Sequence, residues 1–298
     1  MKKLSLIKLI TSMTVFGTIG LCVRMINVER GLLAALRGII GALFLLAFVF
    51  IIKKKPDLAA IKKNLLILVL SGAAIGVNWI LLFESYSYTT IETSTLCYYM
   101  APVIVIIASP FVLGTKIGLK KWICVVVALV GMSLVSGIFE GSGEGSVIGI
   151  LLALGAACFY ASVTILNKKL RDISSYDTTI VQLLVAGLTI LPYTLLCEDN
   201  SLADFDPTSI IMALVVALVH TGISYALFFS SIRELPMETV AIFSYLDPIV
   251  AVALSLFLKE PMTIPMAIGA VLIILALIAS EIDFSALFHR KKFDGDGN

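Results

Sequence analysis

The chain has 298 residues, of which 59% are hydrophobic and 14% charged; its mean hydropathy is +1.05 and its net charge +2. A soluble domain carries about 25% charged residues. Too little polar surface is present here to cover a water-soluble globule, so membrane residence is the reading. No basic domain suited to nucleic acid is present, and no nucleic-acid partner is expected.

A span needs about 20 apolar residues at 1.5 Å rise each. Ten such runs follow one another at 5–23, 32–52, 64–84, 93–113, 119–138, 147–167, 177–196, 208–230, 238–258 and 263–281. The first could pass for a signal peptide, but no small-residue cleavage site follows it, and Leu21 precedes Cys22 where a lipoprotein signal takes Gly or Ala. It is read as the first span. Arg24 and Arg30 flank the turn after it, and Arg37 lies about a third of the way into the second, placed either to bind a carboxylate or to snorkel outward. The third carries Gly72 and Gly76, a small-residue face for close helix contact, followed by Asn78 and Trp79. The fourth opens at Glu92 and contains Tyr98, Tyr99 and Pro102. Trp122, beside Lys120 and Lys121, reads as an interface anchor for the fifth. In the sixth, Gly149, Ala153, Ala157 and Ala161 recur every four residues, with Phe159 and Tyr160 between them. The loop from Cys197 to Asp206 is acidic. The eighth holds His220, Ser224 and Tyr225, and the ninth Phe243, Tyr245, Asp247 and Pro248. The tail from 282 to 298 is basic and then polar, suited to rest on inner headgroups.

The second five spans repeat the first five. Gly76, Leu81, Phe83, Ser85, Glu92, Thr93, Tyr99, Pro102, Ser109 and Phe111 recur as Gly222, Leu227, Phe229, Ser231, Glu238, Thr239, Tyr245, Pro248, Ser255 and Phe257, all at an offset of 146. A repeat of an odd number of spans inserts upside-down relative to its partner. The expected organisation is therefore a first repeat at 1–140, a second, inverted repeat at 145–281 and a cytoplasmic tail at 282–298. The fold class is an all-α integral membrane protein with ten transmembrane helices in two inverted five-helix repeats. Inverted repeats meeting at the midplane build alternating-access transporters.

Charge sets the orientation. With both termini in the cytoplasm, 18 of the 22 Lys and Arg residues fall inside; the exceptions are Arg24, Arg30, Arg37 and Lys259. This is a strong positive-inside signal.

Paired discontinuities in the two halves point to a transporter's site. Pro102 and Pro248 are the candidate helix kinks, each expected near the midplane, where a proline frees a carbonyl. Tyr99 and Tyr245 precede them and are expected to face one central pocket lined by the third, fourth, eighth and ninth spans, with the fifth and tenth peripheral. Asp247 is the sharpest single residue. A carboxylate at bilayer depth must face a polar cavity, be protonated or be paired. His220, brought near by a hairpin of the eighth and ninth spans, is its candidate partner in proton coupling. Trp79, Asn78, Ser224 and Tyr225 complete the candidate substrate pocket, with aromatic faces suited to cations and flat apolar groups.

The five cysteines are scattered and suggest neither a disulfide framework nor a metal site. There is no Walker A motif and no G-x-S-x-G elbow, and His220 and His289 alone cannot build a zinc site. No catalytic residue, cofactor or metal is expected. The partners are a small-molecule substrate, the lipid bilayer and protons as candidate coupling ion.

The halves resemble two copies of the EamA domain, the unit of the drug/metabolite transporter superfamily. The likeness runs from about Leu4 to Ser280. Its pattern reads here as Phe228-Phe229, Tyr245-Leu246-Asp247-Pro248, Lys259-Glu260-Pro261 and Ile268-Gly269-Ala270. The first half departs at Gly114, where the second has Glu260. The resemblance implies a cell-membrane secondary transporter of a small metabolite, amino acid, amine or drug, tilted toward export. Import or facilitated uptake on the same fold is the alternative. A membrane enzyme acting on a lipid-linked substrate is the alternative of another class.

Overall fold

In a bilayer every backbone N–H and C=O must be satisfied within its own segment, and helix is the regular structure throughout the described residues. The computed structural model describes residues 2–89, 91–135, 146–198, 206–257 and 263–281. The Glu140–Gly145 loop, the Lys259-Glu260-Pro261 turn, most of the acidic loop, and the tail lie outside the described residues.

Span 1 is α1 (Lys2–Gly17) continued by α2 (Ile19–Val23), and spans 2 and 3 are α3 (Arg30–Ile51) and α4 (Leu58–Tyr88). Span 4 is divided into α5 (Ile91–Tyr98) and α6 (Ala101–Leu113). Spans 5, 6 and 7 are α7 (Leu119–Val135), α8 (Val147–Lys169) and α9 (Ser175–Cys197). Span 8 runs as α10 (Pro207–Val215), a π-helical stretch (Val216–Ile223) and α11 (Ser224–Glu234). Span 9 is divided into α12 (Met237–Phe243) and α13 (Leu246–Phe257), and span 10 is α14 (Ile264–Glu281).

Seven of these spans are helices long and apolar enough to cross a membrane among the described residues. Spans 5, 9 and 10 are shorter: α7 has 17 residues, α14 has 18, and span 9 is cut into pieces of 7 and 12. Span 3 exceeds its apolar core, reaching 31 residues, because Asp57 caps it a turn and a half early, accepting from the Ala60 N–H at 2.9 Å.

Small residues decide which helices meet. α4 lies along α8 and α9, α3 along α9, α7 along α14, and α1 against α11 and α13. A Cβ on Gly72 or Gly76 would stand 2.9 Å from the Gln182 or Ala186 carbonyl of α9. On α8, Ala153, Ala156, Ala157 and Ala161 are all buried. Such faces let backbones approach in lipid, where van der Waals packing replaces the hydrophobic drive.

Contacts define two ends of the bundle. At the basic end the Lys8 ammonium donates to Ser230 Oγ at 3.0 Å, Ser5 bonds Glu234, Lys121 reaches Thr239 at 3.4 Å, and Lys63 pairs with Asp172 at 2.8 Å. At the opposite end Glu198 accepts from the Gly31 and Leu32 N–H groups at 2.8 and 2.9 Å, capping α3. There too Tyr193 bonds Glu84, and Arg30 stands over the Tyr86 ring at 5.1 Å.

Candidate functional site

The prolines act differently from a mid-helix kink. The helix breaks before them, at Tyr99–Met100 and at Ser244–Tyr245, so Pro102 and Pro248 fall in the first turn of α6 and α13. A proline there needs no N–H partner and has its φ preset for helix. The two breaks occupy equivalent places in the repeat. They touch: the Tyr245 hydroxyl donates to the Tyr99 carbonyl at 3.2 Å, across a sequence separation of 146. A carbonyl freed by one break is thus satisfied by the mate of its own residue in the other half.

Beside the breaks lies a cavity of about 510 Å³. Its mouth is at the end away from the basic one, between exposed Arg24 and Arg30. It reaches inward to Pro102, Tyr160, Phe228, Ser244 and Asp247. Spans 1, 2, 3, 4, 6, 8 and 9 contribute to its wall; among the described residues none of the lining comes from spans 5, 7 or 10. Toward the basic end the bundle is closed by buried Leu9, Ile232, Leu235, Met237 and Val240, all in one core cluster.

Aromatic rings from both halves line it, four of the following pairs edge to face, Tyr160–Phe228 stacked and Tyr98–Tyr99 tilted. Trp79 meets Tyr225 at 6.3 Å between centroids, Tyr225 meets Phe16 at 5.2 Å, and Phe16 meets Phe228 at 6.1 Å. Phe228 meets Tyr160 at 6.2 Å, Tyr160 meets Tyr98 at 5.8 Å, and Tyr98 meets Tyr99 at 6.2 Å. These separations are in the range where edge and face quadrupoles attract. The chain of rings forms a stiff, polarisable surface.

Two charges face this surface. The Arg37 guanidinium lies over the Trp79 ring, 4.0 Å from its centroid, and its Nε is buried with no hydrogen-bond partner. It turns into the cavity and does not snorkel. Asp247 lines the cavity floor, and among the described residues its carboxylate has no hydrogen bond or ion pair.

Of the residues expected to bind substrate, Tyr99, Asp247, Trp79, Tyr225 and His220 are on the wall. Tyr245 is not: its ring is fully buried and its hydroxyl is spent on Tyr99. Asn78 lies behind the wall, its amide donating to the Ala156 carbonyl at 2.6 Å and its Oδ1 facing the Tyr98 hydroxyl at 3.5 Å. It positions Tyr98 against α8. Ser224 is buried and donates to the Val219 carbonyl of its own span at 2.9 Å. Phe243 lies in the core and Phe159 is turned outward, 37% exposed.

His220 does not meet Asp247. Span 1 intervenes, since α1 packs on both α11 and α13. His220 Nε2 lies 2.9 Å from Thr18 Oγ1, whose proton goes to the Val15 carbonyl at 2.7 Å. The π-helical stretch sets this aim, adding a residue to the turn that carries His220.

The wall also holds residues that the repeat did not reveal: Phe16 from span 1, Arg24 and Arg30 at the mouth, and Tyr86 from span 3. Tyr86 had a readable signal, an aromatic two turns beyond Trp79 on one helix face, and Arg24 and Arg30 stood out as basic residues away from the basic end. Among the described residues no group of three His, Cys, Asp or Glu is disposed to hold a metal ion.

A bundle of membrane-length helices, with repeat-related helix breaks beside a cavity sunk to mid-depth, defines a multi-pass membrane transporter. The chain belongs to the EamA-like transporter family, which matches residues 3–137 and again 147–280. It is 30% identical over 256 residues to the uncharacterized transporter YxxF of Bacillus subtilis, covering 85% of this chain and 81% of the other. It is 28% identical over 286 residues to the uncharacterized transporter YetK of the same organism, covering 93% and 86%. Protein RarD of Escherichia coli is 23% identical over 192 residues, 62% of this chain and 61% of its own. A crystal structure shares the fold with a TM-score of 0.83 over 93% of this chain and 96% of its own, at 14% identity.

Proposed function

We propose that the protein is a secondary active transporter that moves a small organic solute across the cytoplasmic membrane by alternating access. The observation that carries this is the cavity of about 510 Å³, reaching the paired breaks from one end while the other end is closed by packing. Its volume fits a single metabolite. At the closed end, polar contacts join the halves beside the apolar packing, among them Lys8 to Ser230 and Lys121 to Thr239. Contacts of that kind can exchange as one half rocks on the other. The basic residues make the closed end cytoplasmic and the mouth external, so this is the outward-facing state. Asp247 is the site at which we place the exchange of a proton for substrate. Export is the direction, following the family tendency.

The test is flux. Purified protein is screened by thermal shift against a metabolite panel, and hits are followed in liposomes with and without an imposed pH gradient. Gradient-driven movement of a hit is the expected result. Liposomes that move no hit but turn over a lipid-linked compound would establish the enzyme reading instead.

A further inference from the structure

Among the described residues, α1 and α3 follow each other in the chain but do not pack along each other: α1 lies on α11, and α3 on α9 and the π-helical stretch. A cleft of about 220 Å³ is left between them at the basic end, with Leu227 and Ser230 of α11 in its floor. Among the described residues it shares no lining with the central cavity. The flanks beside it are apolar and exposed, Leu4 and Ile7 on α1 each by 58% and Leu43 and Phe50 on α3 each by 56%. In a bilayer such flanks face hydrocarbon, and so does the cleft between them.

Its two walls differ in chemistry. α3 and α9 supply rings: Phe44 stacks on Phe48 at 6.4 Å between centroids, and Phe48 meets Tyr176 at 5.9 Å. α1 supplies a charge. A lysine ammonium has three protons to donate. The described residues take one from Lys8, at Ser230 Oγ, 3.0 Å away, which leaves two for the cleft that it lines. The hydroxyls of Ser175 and Tyr176, at the start of α9, line the same cleft and have no hydrogen-bond partner among the described residues. Glu234, the carboxylate one turn beyond Ser230, is bonded by Ser5 and is not part of the lining.

Lys8 stands six residues past the start of α1, about 9 Å in from its end. That is the depth at which headgroups give way to acyl chains. A volume of about 220 Å³ is below the roughly 300–1,000 Å³ of a site that encloses a whole small molecule. It suits a stretch of hydrocarbon entering from the side. Basic pockets between helices hold anionic headgroups.

We infer that this cleft binds one anionic phospholipid of the leaflet at the basic end. Its phosphate takes Lys8 and the hydroxyls of Ser175 and Tyr176, and one acyl chain lies along Phe44 and Phe48. The walls come from both repeats, α1 and α3 from the first and α9 and α11 from the second. The lipid therefore bridges the halves at the closed end. The site stands apart from the solute cavity and does not depend on what that cavity carries.

The test is native mass spectrometry of the delipidated full-length protein, titrated with phosphatidylglycerol or phosphatidylcholine of the same chains. The parent is expected to bind its first phosphatidylglycerol roughly fivefold tighter than its first phosphatidylcholine, the scale of one lysine at an anionic headgroup. Lys8→Gln should lose that preference and Lys8→Arg should keep it, which separates loss of charge from loss of fold. Lys3→Gln, an exposed lysine on another face of α1, should keep it as well. Phe48→Ala should weaken both lipids and leave their ratio unchanged. Equal first affinities in the parent overturn the proposal, as does a folded Lys8→Gln that retains the preference. A Phe48→Ala variant that binds both lipids as the parent does would also overturn it, by removing the chain from the cleft. Glycerol 3-phosphate, the phosphate without chains, should not displace the lipid. Displacement at a comparable concentration would make this a site for free phosphate and overturn the lipid.

Discussion

At Asp247 a carboxylate meets the cavity with no hydrogen bond or ion pair among the described residues. An ionised Asp at the centre of a bilayer costs roughly 2.5–3.5 kcal/mol on insertion scales. Three things can offset that: a proton, a ligand amine, or water in the cavity. The first two compete for the same oxygens, and that competition is the chemistry of an antiporter. If Asp247 trades a proton for an amine, Asp247→Asn keeps the shape and loses the exchange. Flux in liposomes should then cease to respond to an imposed pH gradient, while substrate exchange without a gradient persists at raised substrate concentration. A variant that follows the gradient as fully as the parent would remove Asp247 from the coupling step. Its neighbours within electrostatic reach are the tyrosines Tyr98, Tyr99, Tyr160 and Tyr225, and His220 is engaged by Thr18. Asp247 and Tyr99 were legible in the sequence for a physical reason: a carboxylate beside a proline in an apolar run is costly, and the repeat doubles the signal. Tyr245 shared that signal and lies in the packed core, off the cavity wall, with its hydroxyl on the Tyr99 carbonyl. A repeat marks residues near the two-fold axis, and those residues can pack on each other as readily as on a ligand. Phe16 was not legible, because a span apolar on every side does not show which face is wet.

The elements carry the same lesson in their boundaries. Ten apolar runs locate ten spans, but hydropathy does not resolve the breaks in spans 4 and 9 or the π-helical stretch of span 8. These are backbone events made by local hydrogen bonding, and only the prolines hinted at two of them. The small-residue faces were legible, because lipid leaves close backbone approach as the main source of helix contact. Gly72 tests this. A Cβ there would stand 2.7 Å from Val185 Cβ and 2.9 Å from the Gln182 carbonyl, and a backbone oxygen cannot rotate away. Gly72→Val should lower stability by roughly 1–3 kcal/mol, the scale of overpacking a core. Gly20 is the control. Nothing stands within 4 Å of its added Cβ, so Gly20→Ala should leave stability unchanged or raise it by up to about 1 kcal/mol through helix propensity. Thermal unfolding of the two purified variants checks the pair. An equal loss in both would mean that α4 and α9 are not held by this contact.

Across the whole molecule, charge and cavity fit together. The positive-inside rule is a statement about insertion, set by which loops carry Lys and Arg. Here it accounts for 18 of 22 basic residues, and three of the remaining four sit on the cavity wall. The open mouth and the misplaced arginines coincide, so the orientation of the chain and the state of the transporter are one prediction. In a cysteine-free background, a single cysteine at exposed Asn27 should react from outside intact cells with a membrane-impermeant thiol reagent. One at Val23, on the wall just inside the mouth, should react from outside as well, and bound substrate should slow it. One at Asp57, at the basic end where it caps α4, should stay unlabelled until the cells are opened. External labelling at Asp57 with none at Asn27 would invert the topology and turn the mouth beside Arg24 and Arg30 to the cytoplasm. Labelling at Asn27 with none at Val23 would keep the topology and show the mouth closed in the resting protein.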